Sequence, residues 1–304
     1  MLQRYDARNA DLIVNVNGRL VRRDEAAVSP FDSSVQNGDA VWEGLRLYDG
    51  RIFRLRQHLA RLRKSAGALR YEGYPVDDYL VQQLARTLAA NGMTDGVHVR
   101  LTVTRGVKYT SGLDPRVNTG GCSLIILAEH KPPVFDKGGI ALVTATVRRP
   151  FADVLDQHIH SCNQLTSILA KLQANAAGAD DALLLDPAGF VAETSATHVF
   201  MVKGGTVITP TTRACPEGIT RAAVLELCAS ESIAHEVRDV TPEEFTAADE
   251  LFCTGTMGEL VPVTRIDHHA FARPGPGSVF ELLSRRFSVL ARAADEGTAM
   301  SITS

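Results

Sequence analysis

The chain has 304 residues, 45% of them hydrophobic, which is enough for one large core or two moderate ones, and its length favours two domains. Lys and Arg total 32 against 35 Asp and Glu, a formal charge of -3 without a basic run, so nucleic acid is not an expected partner. No signal-peptide core or bilayer-length apolar stretch is present, so a cytoplasmic location without a membrane partner is expected. The five cysteines (Cys122, Cys162, Cys215, Cys228, Cys253) show neither a CxxC pair nor zinc-finger spacing, so neither a metal site nor a disulfide framework is expected.

The first half alternates short strands with turns. LIVNV and RLV flank Asn17-Gly18, and VWEGLRLY and RIF flank Asp49-Gly50, dipeptides that predict two-residue hairpins. From Arg54 the apolar period lengthens: Leu55, Leu59, Leu62, Ala66 and Leu69 predict an amphipathic helix, with a second over 77–91. HVRLTVTRG and CSLIILAEH read as strands around a Gly- and Pro-containing loop, 106–121, long enough to carry a role of its own. A small α+β domain over 1–130 is expected to end there, and Lys131-Pro132-Pro133 opens a linker over 131–137.

IALVTATV begins the expected larger domain, 138–304. An irregular segment (149–162), a helix to about residue 177 and a meander of ALLLD, FVAE, HVFMV and TVITP follow. Helices are predicted over 219–229, 242–248 and 278–294, and disorder after Glu296. Strands and helices are segregated in runs more than they alternate, which favours α+β over a doubly wound sheet.

VWEGLRLYDGRIFRLRQHLARLRKSA, with His58-Leu59-Ala60-Arg61-Leu62 on its helix, resembles the N-terminal signature of branched-chain and D-amino-acid aminotransferases. NQLTSILAKLQANAAGADDALLLDPAGFVAETSATHVFMVKGGTVITP, CPEGITR and FCTGTMGELVPV resemble that family's later blocks, in family order across roughly residues 11 to 290. The chain therefore resembles the fold-type IV (class IV) aminotransferases that use pyridoxal 5'-phosphate (PLP). The resemblance implies a two-domain, D-amino-acid aminotransferase-like α+β fold whose larger domain carries a barrel-like sheet. It also implies a small amino or keto acid as substrate, and a homodimer in which the first-domain loop of one subunit closes the other's site.

Residue roles follow from the same resemblance. Arg61 matches the phosphate-binding arginine, whose planar guanidinium grips oxygens through paired hydrogen bonds. Gly218, Ile219 and Thr220 match a phosphate cradle at a helix start, and Gly255 and Thr256 a second phosphate contact beside the substrate carboxylate. Glu193 matches the glutamate that pairs with the pyridine nitrogen and keeps the ring an electron sink. Arg100 resembles the family arginine that meets an acidic side chain; Trp42, as an apolar wall, Lys108, from the long loop, and Met257 are further expected substrate contacts. Taken by residue type alone, these are surface charges, a capped helix, a glycine turn and a structural aromatic.

One position departs. In the family an apolar residue, Lys, two variable residues and Asn precede the long helix; here the segment is Ile159-His160-Ser161-Cys162-Asn163. Asn163 and the helix fix the register without a gap, so His160 stands where the resemblance puts the Schiff-base lysine. An imidazole carries protons near neutral pH but forms no stable imine with an aldehyde. Gln164 and His198 are further departures, at a family tyrosine and asparagine. The resulting expectation is an enzyme that holds PLP or its amine form noncovalently, or has dispensed with it, with His160 as acid or base. The alternatives are a conventional branched-chain-type transaminase with an altered lysine and a catalytically silent homologue in which His160 only fills volume. Among other amines, Lys171 lies eleven residues along the same helix, Lys64 and Lys203 are expected to face solvent, and Lys108 sits in the long loop near the expected substrate mouth.

Overall fold

The computed structural model describes residues 5–135 and 138–300, folded as helices and two sheets. The chain divides into two compact units. Of the described residues, one takes 5–132, Ile159–Asn163 and 291–300; the other takes Pro133–His158 and Gln164–Leu290. The division is discontinuous, where the sequence reading has two consecutive stretches, because a five-residue segment around His160 and the C-terminal residues belong with the N-terminal unit.

In that unit β1 (Ile13–Val16) and β2 (Arg19–Arg22) meet at Asn17 and Gly18, at φ 53° and 79°. Two positive φ values are what a type I′ hairpin needs, and Asn-Gly tolerates them best. A one-turn helix absent from the sequence reading, α1 (Ser33–Asn37), starts on the Asp32 carboxylate and stops at Gly38, which is left-handed at φ 65°. β3 (Ala40–Tyr48) and β4 (Arg51–Phe53) repeat the hairpin device at Asp49 (φ 47°) and Gly50 (φ 75°). α2 (Leu55–Ala68), α3 (Asp77–Ala90), β5 (Val97–Thr104) and β6 (Ser123–His130) complete the run. Because side chains alternate across a strand, Val41, Leu45 and Leu47 of β3 lie on the face that packs with Leu59 and Leu62 of α2. Glu43 falls in the same row.

The second unit runs β7 (Ile140–Arg148), α4 (Ala152–Leu155), α5 (Leu165–Ala176), β8 (Asp181–Leu185), β9 (Val191–Thr194), β10 (His198–Lys203), β11 (Thr206–Thr209), α6 (Ile219–Ser230) and β12 (His235–Val237). α7 (Pro242–Thr246), β13 (Glu250–Gly255), β14 (Glu259–Ile266), β15 (His269–Ala270) and α8 (Val279–Leu290) follow. The short α4 interrupts the stretch expected to be irregular. Strand order is β12-β11-β10-β13-β14-β7-β8-β9, with β15 on β14. β9 turns directly into β10: Thr194 N donates to Thr197 O at 2.8 Å, and the two hydroxyls pair at 2.6 Å. The last strand of the path thereby lies against β10. Six strands close around a core that includes Leu142, Leu183, Val199, Leu251 and Val261.

Up to Met300 the expected disorder after Glu296 is corrected by β16 (Gly297–Ala299), which pairs antiparallel with β4; the rest of that stretch, 301–304, lies outside the described residues. β4 offers an open edge, Arg51 Nε donates to Gly297 O at 3.1 Å, and Met300 packs on the N-terminal core. The N-terminal sheet thus runs β16-β4-β3-β5-β6-β1-β2. All five cysteines are free thiols. Among the described residues no helix is long and apolar enough to cross a membrane.

Candidate active site

His160 belongs to a buried charge cluster in the N-terminal unit. At its centre Glu43, fully buried on β3, accepts Arg61 Nε at 2.8 Å and Arg61 Nη2 at 2.6 Å, one bond to each oxygen. His58 Nδ1 lies 2.7 Å from Oε2, and since a carboxylate only accepts, that nitrogen carries the proton. His160 Nδ1 lies 3.5 Å from Oε1 and 2.5 Å from the carbonyl of Trp42. Both Arg61 and His58 come from α2, three residues apart and therefore on one helix face. Burial by itself would raise the Glu43 carboxyl, but the Arg61 guanidinium and the His160 ring hold it well below the usual range. Burial lowers His58 from 6.5 despite the pull of Glu43.

The segment carrying His160 is tied to β3 along its length. Trp42 N donates to His160 O at 3.0 Å, Cys162 N to Ala40 O at 2.8 Å, and His160 N to Ser65 Oγ at 3.0 Å. Trp42 stacks on the His160 ring, with centroids 4.6 Å apart and planes 23° apart. Arg100, opposite Gly44 on β5, sits 3.9 Å over the Trp42 ring and reaches Cys162 Sγ at 3.6 Å. Lys108 is buried, its ammonium bonded to Asn37 Oδ1 and to Gly112 O, so the loop amine is committed to loop structure.

A second cluster stands in the other unit. Alternation puts Glu193 of β9 on the face shared with Leu184, its partner on β8, and His198 of β10 beside its partner Thr254 of β13. Arg149 Nε lies 2.9 Å from Glu193 Oε1, an ion-pair contact not aligned as a hydrogen bond, while Nη2 donates to Ser167 Oγ at 2.9 Å. His198 Nε2 donates to Pro216 O at 2.7 Å. Gly218 lies so close to this ring that a Cβ would come within 2.8 Å of it, which makes glycine a steric requirement there. Gly218 also begins α6 without a side-chain cap, followed by Ile219 and the buried Thr220. The Thr254 hydroxyl is buried without a hydrogen-bond partner among the described residues. Gly255 ends β13, Thr256 and Met257 form the turn after it, and Met257 O accepts Val134 N at 3.1 Å. Donor atoms of Glu193, His198 and Cys215 lie within 4.8 Å of one another, but the Arg149 guanidinium against Glu193 opposes a cation among them.

The family model for amino-transferase class IV matches residues 40–266. The chain belongs to the class IV aminotransferase family. This class IV chain is 49% identical over 283 residues, 93% of its length, to branched-chain-amino-acid aminotransferase-like protein 2 of Arabidopsis thaliana, and it spans 51% of that relative, about half its length. A branched-chain aminotransferase from Thermoproteus uzoniensis, solved with norvaline, is similar at a TM-score of 0.89 and 28% identity, over 96% of this chain and 100% of that one. A branched-chain amino acid aminotransferase from Thermobaculum terrenum, in its PLP form, is similar at a TM-score of 0.84 and 27% identity, over 96% of this chain and 99% of that one. The α+β fold is that of the fold-type IV aminotransferases, as the motif order implies.

Of the site residues read from the class IV motifs, one group (Trp42, Arg61, Arg100, His160) comes together in the N-terminal unit around Glu43. Another (Glu193, Gly218, Ile219, Thr220, Gly255, Thr256) lies along β9, β13 and the start of α6 in the second unit. Met257 follows Thr256 in the same turn, its carbonyl accepting from Val134 N, while Lys108 stands apart in hydrogen bonds of its own. The sequence reading assigned no role to Glu43, His58 or Arg149. For Glu43 a signal was present: an acid in the apolar row 41, 43, 45, 47 of a strand must be paired if that row is buried. Arg149, at the end of a strand and before Pro150, carries no comparable mark.

Proposed function

We propose that the chain is a class IV aminotransferase-like enzyme acting on a small amino or keto acid, with PLP or its amine form held noncovalently and His160 as acid or base. The observation that carries this reading is the environment of His160. Its Nδ1 proton goes to the Trp42 carbonyl beside the Glu43 carboxylate, and Nε2 has no hydrogen-bond partner among the described residues. That leaves one nitrogen for proton exchange in a largely buried setting, as general acid–base work requires.

The second unit offers a donor set that fits a phosphorylated ring. The uncapped start of α6 presents backbone N–H groups, and a buried Thr254 hydroxyl lacks a partner nearby in the sheet. By the resemblance, Gly218, Ile219, Thr220, Gly255 and Thr256 would hold the phosphate, whereas Arg61, the other residue it assigns there, gives its paired hydrogen bonds to Glu43. Glu193, ion-paired with Arg149, would favour a protonated pyridine nitrogen. When bound, the cofactor supplies an electron sink for negative charge at the substrate's Cα. His160 would take the proton from the substrate's Cα–H bond onto its ring and give it back to carbon. Lys108, Lys171 and Lys203 each spend the amine on a hydrogen bond within the fold, which supports noncovalent holding. The named PLP form of the Thermobaculum terrenum enzyme supports PLP as the ligand, and the names of the relatives support a branched-chain-type substrate.

The test is the ultraviolet–visible spectrum of the purified protein with and without added PLP. The expected result is a cofactor band that dialysis removes and that borohydride does not fix to the chain; His160→Lys should gain a borohydride-stable adduct. Absence of any PLP binding, or a stable adduct in the unaltered protein, defeats the proposal.

A further inference from the structure

We infer that Trp42 is a positioning residue for His160, holding the ring with its proton on Nδ1 so that Nε2 is the nitrogen that exchanges protons. The inference rests on the acid–base reading of His160 and adds which atom acts and what orients it. Four contacts carry it. The Trp42 carbonyl lies 2.5 Å from Nδ1; a carbonyl only accepts, so the neutral ring must carry its proton there. The Trp42 indole lies stacked on the imidazole at 4.6 Å. The indole N–H donates to Ser161 O at 3.1 Å and the Trp42 amide to His160 O at 3.0 Å, so ring and backbone of one residue bracket the histidine from both sides of its own peptide. Glu43 Oε1, 3.5 Å from the same nitrogen, adds negative charge on the side where the proton sits.

Trp42 therefore spends its polar atoms on the His160 segment, with Arg100 over its ring. A tryptophan that chiefly walled a substrate would leave its indole N–H to a ligand or to water. A clamp on the imidazole has a different signature: its loss changes the state of His160 whether or not a substrate is present.

Long-range proton–nitrogen correlation spectra of the full chain labelled with 15N-histidine read that state directly, with His160 assigned by its loss in His160→Gln. The expected result is a neutral His160 in the Nδ1–H form by about ten to one, the excess that one buried hydrogen bond supports. Trp42→Phe keeps the stack and the backbone carbonyl and should keep that form. Trp42→Ala keeps the carbonyl but loses the stacked ring and the indole bond to Ser161 that hold the imidazole against it, and should show both tautomers. A majority Nε2–H form in the unaltered protein overturns the inference, and so does a Trp42→Ala spectrum identical to it. If Trp42→Ala fails to fold, the tautomer of the unaltered protein and of Trp42→Phe decides alone. Turnover unchanged in His160→Gln would sink the acid–base reading, while the tautomer result would stand by itself.

Discussion

Glu43 is the residue on which the N-terminal cluster depends. A carboxylate in an apolar row carries a desolvation cost that only paired charge can offset, and Arg61 offsets it through both oxygens. Replacing it with the neutral isostere takes the Glu43 charge away from a half-buried Arg61 guanidinium. Glu43→Gln is expected to cost about 3 kcal/mol, read from denaturant unfolding; a loss under about 0.5 kcal/mol would mean that solvent already screens the pair. The same cluster sets a pH dependence. The unfolded chain takes up a proton at His58 as pH falls below 6.5, while the buried ring resists it, so stability falls with acidification. Glu43 adds the same sign at lower pH, because its folded carboxyl stays ionised below 4.5 where the unfolded one does not. Melting temperature should fall steadily from pH 7 to pH 4, and His58→Gln should flatten the part just below 6.5. Parallel profiles for the two proteins would show that His58 does not carry that limb.

At the scale of elements, the hairpins and long helices follow from chain-local physics. Asn17-Gly18 and Asp49-Gly50 set positive φ at both turn positions, and the three- and four-residue spacing after Arg54 sets the apolar face of α2. β16 does not arise that way. Its three residues have little strand tendency and are ordered by the open edge of β4, the Arg51 side chain and the packing of Met300. Ending the chain after Asp295 should therefore lower the melting temperature measurably, and Met300→Ala should cost about 1–2 kcal/mol as a partly buried side chain is truncated. A truncated chain as stable as the whole one would return the tail to the disordered state read from its sequence. α6 is similar in kind: its Gly218 is needed because of a histidine on another strand, not because of its own φ.

For the molecule as a whole, one helix face stands out. Leu165, Ile168, Leu169 and Leu172 of α5 follow one apolar stripe, yet each is 41–66% exposed. An exposed stripe of this kind suits a covering partner, and the homodimer implied by the family resemblance supplies one. We propose that a second copy covers α5. Sedimentation or light scattering should give twice the chain mass, and Ile168→Glu with Leu172→Glu should return it to one copy with the fold intact. A monomer at high concentration would count against this assembly.

By itself the sequence determined what repeats locally or keeps family order: the hairpins, the helices, the α+β class and the family. It also marked His160, because a motif with fixed register makes a single departure visible. What only the tertiary structure decided are the partnerships between residues far apart in the chain. Glu43 meets Arg61 and His58 through a strand–helix contact, His160 returns to β3 from more than a hundred residues away, and Arg149 reaches Glu193 across two strands. Periodicity reports which face is buried, but which buried charge answers which depends on distances that only the folded chain sets.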